Sequence, residues 1–274
     1  MILFPSAKIN LGLNVLRART DGYHDIESIL VPIPLRDVLE AMVMPSGKPN
    51  ELIFTRTGIP IPGDPEQDLC VKAVRLLQRE KELPGLRMHL HKVIPIGAGL
   101  GGGSSDGAHT LLLLNNLLQL DLGEERLLAL ATELGSDCPF FLHHRAQLAE
   151  GRGERLSPVD LSLKGYWLML VNPGVHVSTA EVYANTKPTG VSASWISTVT
   201  STPPKIWRDQ VVNVMEDHVF RVHPEIADIK RDLLASGAEY AAMSGSGSSV
   251  FGLFSTEPSR INFPQKYRSW ILRM

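Results

Sequence analysis

The sequence predicts an α+β fold in two domains, and three observations lead to this prediction. A chain of 274 residues is longer than one small hydrophobic core usually organises. Residues 69–82 repeat apolar side chains at helical spacing, whereas residues 86–93 alternate apolar and polar side chains as a half-buried strand does. The segment GRGERLSP interrupts these patterns and indicates a domain boundary near residues 155–160. We therefore expect one domain over 1–157 and a second over 158–274.

The first half of the chain is expected to hold two strands and three helices around a glycine-rich loop. The loop covers residues 97–103, and Ser104, Ser105 and Asp106 after it offer N-cap oxygens to the apolar helix that follows. The predicted strands are 8–16 and 86–93, and the predicted helices are 69–82, 108–120 and 124–134.

The second half is expected to hold two strands and two helices beside a long loop. Residues 186–210 are rich in Ser, Thr and Pro, a composition that favours a loop. Asn213, followed three residues later by Glu216, is typical of a capped helix start. The predicted strands are 166–171 and 249–254, and the predicted helices are 213–221 and 224–236.

The composition argues against several classes of protein. Net charge is −2, without the basic stripe of a nucleic-acid-binding protein, and no apolar run reaches the roughly 18 residues of a membrane span. The first residues lack the pattern of a signal peptide. Cys70 and Cys138 show no metal-ligand spacing, and a disulfide between them has no support from the sequence. We therefore expect a cytoplasmic protein without nucleic-acid or membrane partners, whose oligomeric state the sequence does not indicate.

The richest signal is the segment PIGAGLGGGSSD at residues 95–106, in which five of the seven residues from 97 to 103 are glycine. Glycines allow successive backbone N–H groups to point inward, and the N-terminus of the following helix favours an anion. The alternative is a turn that only lets a strand and a helix pack closely. We favour a phosphate-binding loop, and its expected nucleotide contacts are Pro95, Gly97, Gly99, Leu100, Gly101, Gly102, Gly103, Ser104 and Ser105.

Better-known phosphate motifs do not fit this loop. Gly97, Gly99 and Gly102 match the dinucleotide fingerprint G-x-G-x-x-G, but the acidic residues about 20 positions on lie between two predicted helices. A P-loop requires a lysine directly after its glycines, and no lysine stands there in this chain. The protein-kinase signatures are also missing. A different class of nucleotide-binding protein is indicated.

Four segments resemble, in the same order, the motifs of the galactokinase, homoserine kinase, mevalonate kinase and phosphomevalonate kinase (GHMP) superfamily. They are PSAKINLGLNVLRARTDGYHDIES at 5–28, PIGAGLGGGSSD at 95–106 around the glycine loop, LGSDCPFFL at 134–142 and MSGSGSSVFGLF at 243–254. The resemblance implies a first domain like domain 2 of ribosomal protein S5 and a ferredoxin-like second domain. It also implies transfer of a phosphoryl group from ATP to an alcohol, with Mg²⁺ whose ligands cannot be assigned.

The resemblance is strongest to one branch of the superfamily. Its alcohol substrate carries a cytidine diphosphate, and it serves the non-mevalonate route to isoprenoid precursors. The features shared with that branch are Gly22-Tyr23-His24 and the Ser-Ser-Asp sequence that follows the glycine loop. Two interpretations compete: a kinase of another alcohol, such as homoserine or mevalonate, and a regulatory protein that binds nucleotide without chemistry. The presence of both Lys8 and Asp137 argues against the regulatory protein.

The family's catalytic pair falls on Lys8 and Asp137. Asp137 lies in the segment 135–139, where spacing alone leaves open an Asx-turn or a helix cap, and the resemblance implies the base. Lys8 lies in an apolar strand, where the alternative is an outward lysine on a strand edge. Asn10 shares the strand face of Lys8 and is expected to orient the substrate.

The resemblance implies roles for four further residues. Tyr23 and His24 would read cytosine, and Thr179 would lie near the substrate phosphates. Asp68 is expected near the nucleotide, although the chain has Gln67-Asp68-Leu69 where the family often has Asp-Asn-Leu. A second departure, Asn213-Val214-Met215-Glu216 in place of N-D-x-E, is expected to affect a helix cap.

Overall fold

The computed structural model describes all 274 residues and mixes twelve strands with seven α-helices, which confirms the predicted α+β class. The strands are β1 (Ile2–Leu3), β2 (Ser6–Ala18), β3 (His24–Arg36), β4 (Val38–Val43), β5 (Leu52–Gly58), β6 (Leu86–Lys92), β7 (Gln147–Gly151), β8 (Arg155–Pro158), β9 (Trp167–Asn172), β10 (Tyr240–Met243), β11 (Val250–Phe254) and β12 (Arg268–Arg273). The helices are α1 (Leu69–Glu80), α2 (Gly102–Leu117), α3 (Glu124–Leu134), α4 (Thr179–Asn185), α5 (Trp195–Ser201), α6 (Glu216–Val222) and α7 (Pro224–Ala235). Short 3₁₀ helices cover Pro65–Gln67, Pro139–Leu142 and Pro204–Ile206.

The chain divides into two compact units that interleave along the sequence. The first unit contains Met1–Ala7, Leu35–Ile96 and Gly101–His144, and the second contains Lys8–Pro34, Gly97–Leu100 and Arg145–Met274. Because each unit draws on separate stretches of chain, no single residue divides them. The expected boundary between residues 157 and 158 stays a prediction.

The first unit is built on a four-stranded sheet in the order β1-β4-β6-β5, with β5 and β6 parallel and the other pairs antiparallel. The predicted alternation of β6 is confirmed, since Leu86, Met88 and Leu90 are buried while Arg87 and His91 are exposed. Helix α2 contacts β1 and β4 and packs against α1. The apolar side of the sheet thus faces the helices.

The second unit contains two four-stranded sheets, in the orders β2-β3-β7-β8 and β10-β11-β9-β12. The second of these is antiparallel throughout, and α7 contacts β10 and β11. Ile226, Ile229 and Leu233 of α7 share one hydrophobic core with Met169 and Val250 of the sheet. Burial of this helix face accounts for the arrangement.

The prediction of a loop over residues 186–210 fails in part, because α5 and the 3₁₀ helix Pro204–Ile206 form within this segment. Trp195, Val199 and Trp207 bury their side chains in this segment, and the indole N–H of Trp207 donates to the carbonyl oxygen of Thr202 at 3.0 Å. Buried apolar side chains therefore override the weak local propensity of a Ser/Thr-rich segment.

The predicted cap at Asn213 is also corrected, because α6 begins at Glu216 and its N-cap is Met215. The Asn213 amide group donates to the carbonyl oxygens of Met243 at 2.9 Å and Gly245 at 2.8 Å. Glu216 accepts a hydrogen bond from the backbone N–H of Met243 at 2.8 Å. Both side chains hold the end of β10 and the segment after it, and they form no capping box. Asn213 Oδ1 still accepts from the backbone N–H of Met215 at 3.0 Å, just before α6.

The structure also bears on two expectations from the composition, the absence of a disulfide and the absence of a membrane span. Cys70 and Cys138 are buried free thiols, so no disulfide joins them. No helix combines the length and apolar character that crossing a bilayer requires. The cytoplasmic location stays a prediction.

A buried ion triad lies in the first unit. The Lys92 ammonium group at the end of β6 lies 2.6 Å from Oδ2 of Asp37 and 2.6 Å from Oδ2 of Asp106. Burial alone would lower the pKa of Lys92, but the two carboxylates outweigh it and raise that pKa. Burial also raises the pKa of Asp106, whose Oδ1 has no hydrogen-bond partner. The lysine compensates two carboxylates that would be costly to bury without it.

Replacing Lys92 by Met is therefore expected to lower the free energy of unfolding by about 3–5 kcal/mol, since it leaves two buried carboxylates without their cation. The matched control is Lys81→Met, which changes an exposed lysine just after α1 in the same unit. Urea unfolding at neutral pH measures both variants. Equal unfolding midpoints for the two variants would contradict a stabilising role for the triad.

Candidate active site

The glycine loop alternates turning residues with buried anchors. Gly97, Gly99 and Gly101 have φ angles of 61°, 75° and 67°, in the left-handed region that glycine adopts without strain. Ala98 and Leu100 between them are buried. The loop therefore buries its two side chains, while Gly97 is exposed and Gly99 and Gly101 are half-buried.

Helix α2 begins at Gly102, not near residue 108 as predicted, and Gly101 is its N-cap. Ser104, Ser105 and Asp106 thus lie in the first two turns and do not act as caps. A Cβ on Gly102 would come within 2.8 Å of Ile94 and 2.9 Å of the Lys92 ammonium group, so this glycine is required for close packing. The helix can start early because its first residue fits directly against the end of β6.

Gly103 differs from Gly102 in what surrounds it. It is exposed, and a Cβ there would have no neighbour nearer than Cδ1 of Leu69 at 4.0 Å. The first N–H groups of α2 lack partners within the helix, and a helix of this length has a positive N-terminal dipole. The open surface at Gly103 therefore has the chemistry of a phosphate-binding site.

The other predicted loop contacts are less accessible. Pro95 and Ser105 are buried, and the imidazole Nδ1 of His109 lies 2.8 Å from the carbonyl oxygen of Ser105. Burial lowers the pKa of His109 to about 4, so this imidazole is neutral at pH 7. Ser104 is half-buried, and its hydroxyl opposes the rise that burial causes in the pKa of the Cys138 thiol. Contacts of these residues with nucleotide stay a prediction.

Lys8 and Asn10 form a buried pair in β2 of the second unit. The Lys8 ammonium group donates to Oδ1 of Asn10 at 2.6 Å, and the Asn10 amide donates to Ser28 Oγ at 2.8 Å. Ser28 in turn donates to the carbonyl oxygen of Gly12 at 2.7 Å. Lys8 is 5% exposed, so it is not an outward lysine on a strand edge. The chain of bonds fixes the ammonium group and the amide in one orientation.

The segment after β10 lies against this pair and against the glycine loop. The backbone N–H of Asn10 donates to Ser244 Oγ at 3.2 Å, and Ser244 Oγ donates to the carbonyl oxygen of Gly99 at 2.8 Å. The N–H of Lys8 donates to the carbonyl oxygen of Leu100 at 3.0 Å. The structure thus brings together parts of the first, second and third motifs predicted from the sequence.

Thr179 is the first residue of α4 and shares this neighbourhood through the third motif. Its hydroxyl lies 2.9 Å from the hydroxyl of Ser246. Since one hydroxyl of this pair donates to the other, the accepting hydroxyl keeps its own hydrogen free to donate to a ligand.

Tyr23 and His24 stand at the start of β3 with two partners that sequence reasoning missed. Tyr23 is 53% exposed, and the guanidinium carbon of Arg152 lies 4.8 Å from its ring centroid. The His24 ring stacks on Tyr183 with centroids 5.0 Å apart. Arg152 belongs to the segment GRGERLSP, which the sequence pattern connects only with a domain boundary.

Asp137 belongs to the first unit and lies in the turn between α3 and the 3₁₀ helix Pro139–Leu142. Its side chain is half-buried, and the N-cap position of the 3₁₀ helix falls to Cys138. The N-cap position is therefore one residue later than the alternative that the sequence left open.

Asp68 caps a helix in the first unit. It is the N-cap of α1, where its side chain accepts from the N–H of Cys70 at 2.9 Å and from Arg56 at 3.2 Å. A nucleotide contact by Asp68 stays a prediction. No cluster of three or more His, Cys, Asp or Glu side chains suited to a metal ion occurs in the structure.

Comparison with known proteins identifies two family domains. The GHMP kinases N terminal domain matches residues 68–145, and the GHMP kinases C terminal domain matches residues 205–270. A 4-diphosphocytidyl-2-C-methyl-D-erythritol kinase of Parabacteroides distasonis is 49% identical over 93% of this chain and 92% of its own. The kinase of the same name from Bacteroides fragilis is 48% identical over 94% and 93%.

Solved structures agree with the sequence relatives. A crystal structure of 4-(cytidine 5'-diphospho)-2C-methyl-D-erythritol kinase superposes with a TM-score of 0.82 at 32% identity, covering 99% of this chain and 98% of that one. Homoserine kinase from Cytophaga hutchinsonii superposes with a TM-score of 0.67 at 16% identity, covering 97% and 94%, which shows a shared fold.

Gly103→Val is expected to raise the KM for ATP by on the order of tenfold or more, because its side chain would occupy the open surface where we expect phosphate to bind. Stability should change little, since the added atoms meet open space. The matched control is Gly123→Val at the N-cap of α3, which also faces open space. Steady-state kinetics and thermal unfolding measure both variants, and an unchanged KM would place the nucleotide elsewhere.

Proposed function

This chain belongs to the GHMP kinase family, and we propose that it transfers the γ-phosphoryl group of ATP to a hydroxyl of 4-diphosphocytidyl-2-C-methyl-D-erythritol. By resemblance the acceptor is the 2-hydroxyl, and the reaction serves non-mevalonate isoprenoid biosynthesis in the cytoplasm. The observation that carries the proposal is the buried Lys8–Asn10 pair, hydrogen-bonded beside the glycine loop. Homoserine and mevalonate kinases share the fold at only 14–19% identity, so the cytidyl substrate is favoured over theirs.

Phosphoryl transfer requires an oriented hydroxyl, an acceptor for its proton and positive charge near the moving group. In this proposal, Asp137 accepts the proton from the substrate hydroxyl. Lys8 supplies the positive charge, and its hydrogen bond to Asn10 holds it in place. Asn10 orients the alcohol through its amide group. These assignments rest on the family resemblance together with the buried setting of the pair.

The glycine loop would bind the phosphates of ATP through its backbone and the first turn of α2. Mg²⁺ neutralises phosphate charge and prefers phosphate and water oxygens to a cage of protein ligands. That preference fits a chain without a ready-made carboxylate cluster. Serine hydroxyls near the loop are the candidate protein ligands.

The cytidyl group would bind at Tyr23 and His24, with Tyr23 stacking on the base and His24 forming hydrogen bonds. The exposed ring of Tyr23 and the orientation of His24 by Tyr183 support this assignment. Thr179 would contact the substrate phosphates. A base bound at one end and a reacting alcohol at the other make the cytidyl group an anchor for the chemistry.

Asp137→Asn is expected to cut kcat by roughly 10²–10⁴, the usual contribution of a positioned general base, with folding intact. Asp160→Asn is the control, since Asp160 is an exposed carboxylate away from every motif. Turnover with the cytidyl substrate and thermal unfolding measure both variants. Near-normal kcat in a folded Asp137→Asn protein would remove this residue from the chemical step.

The cytidyl substrate is expected to exceed its uridyl analogue in kcat/KM, by as much as about 10⁴, because the two bases differ at the edge that His24 would read. His24→Ala should shrink this ratio. Homoserine, mevalonate and free methylerythritol should be poor substrates, since they lack the base. The measurement is kcat/KM for each compound at saturating ATP. Efficient phosphorylation of homoserine or mevalonate would establish the competing function.

A further inference from the structure

Arg152 lies at the tip of the β7–β8 hairpin, in a turn that fixes its direction. Gly151 and Gly153 on either side have φ angles of 68° and 104°. The N–H of Arg152 donates to the Glu154 carboxylate at 2.5 Å, and the N–H of Gly153 donates to the carbonyl oxygen of Glu150 at 3.0 Å. The hairpin is therefore built to present one side chain from its tip.

The hairpin tip stands beside the start of β3. Gly151 pairs with Ile26 in the sheet, two residues after His24. This register places the guanidinium group of Arg152 over one face of the Tyr23 ring at 4.8 Å from the centroid. Tyr23 is nevertheless 53% exposed, so much of the ring remains open to a ligand.

Two acidic residues near Tyr23, Asp21 and Asp25, are paired with other arginines. Asp21 binds Arg19, and Asp25 binds both Arg17 and Arg19. Hydrogen bonds from Arg19 lower the pKa of Asp21 and of Asp25, so both stay anionic and paired at neutral pH. The guanidinium groups of Arg17, Arg19 and Arg152 thus lie near Asp21 and Asp25, and Glu154 in the hairpin turn is a third carboxylate nearby. The charge of Arg152 helps to lower the pKa of Asp21, but the two side chains form no ion pair within 4.0 Å.

We propose that Arg152 is a substrate-binding residue that fixes the Tyr23 ring from one side and adds positive charge for the diphosphate of the cytidyl substrate. The proposal rests on the function proposed above and extends it to a residue outside the four motifs. A guanidinium plane stacks well on an aromatic ring and is weakly hydrated, so it can hold the ring without losing its charge. The opposite face of the ring then remains available for the base.

Arg152→Gln is expected to raise the KM for the cytidyl substrate about five- to tenfold, the range of a cation–π contact plus one favourable charge. Both kcat and the KM for ATP should stay within about twofold, because neither the reacting groups nor the glycine loop is touched. Arg152→Lys keeps the charge but loses the planar stack, so it should restore part of the affinity. Arg155→Gln removes an equal charge from the same hairpin and should leave the KM unchanged.

Direct binding of cytidine 5′-diphosphate, measured by calorimetry at low and high salt, separates this proposal from the proposed function. Arg152→Gln should bind it more weakly than wild type, and the difference should shrink at high salt. If the wild type binds cytidine diphosphate more tightly than Arg152→Gln but phosphorylates no cytidyl alcohol, the proposed function is refuted and the role of Arg152 is supported. Equal affinity of wild type and Arg152→Gln would overturn that role. The role would also be overturned if Arg152→Gln lowered kcat, raised the KM for ATP and lowered thermal stability together, and if Arg152→Lys restored none of these.

Discussion

The close approach of two backbones at Gly99 is the constraint on which the candidate site depends. A Cβ at this position would overlap the carbonyl oxygen of Ser244, and the φ angle of 75° is one that other residues rarely adopt. Because Gly99 permits this contact, the hydroxyl of Ser244 reaches both the loop and the backbone of Asn10. Sequence segments more than 140 residues apart are thereby held in register.

Polar groups buried around this contact are satisfied by one another. Asn213 binds two carbonyl oxygens of the third motif, and Glu216 accepts from Met243 and from Lys230. Burial raises the pKa of Glu216 despite the opposing effect of Lys230. Buried polar groups without partners are costly, so such a network favours one arrangement of the loop over its alternatives. The same principle explains how a buried Lys8 is retained in β2.

Side chains are more exposed in the subsite assigned to the base than around Lys8 and Asn10. There Tyr23 and Arg152 keep polar and aromatic surface open, whereas the lysine and amide of the first motif are enclosed. An enclosed charge favours chemistry, because the electrostatic interactions of a dry site are strong. An open aromatic surface favours binding, because it gains contact when a planar base covers it. The two parts of the proposed substrate thus meet two physical environments.

Local sequence patterns were enough to predict the α+β class, the glycine loop and the helices α1, α3 and α7, since these follow from local spacing and backbone preference. They did not determine α5 or the start of α2, because burial of Trp195 and the fit of Gly102 against Ile94 decide them. The position of Arg152 over Tyr23 likewise depends on the pairing of β3 with β7. Contacts between distant segments carry no local pattern, so only the tertiary structure could reveal them.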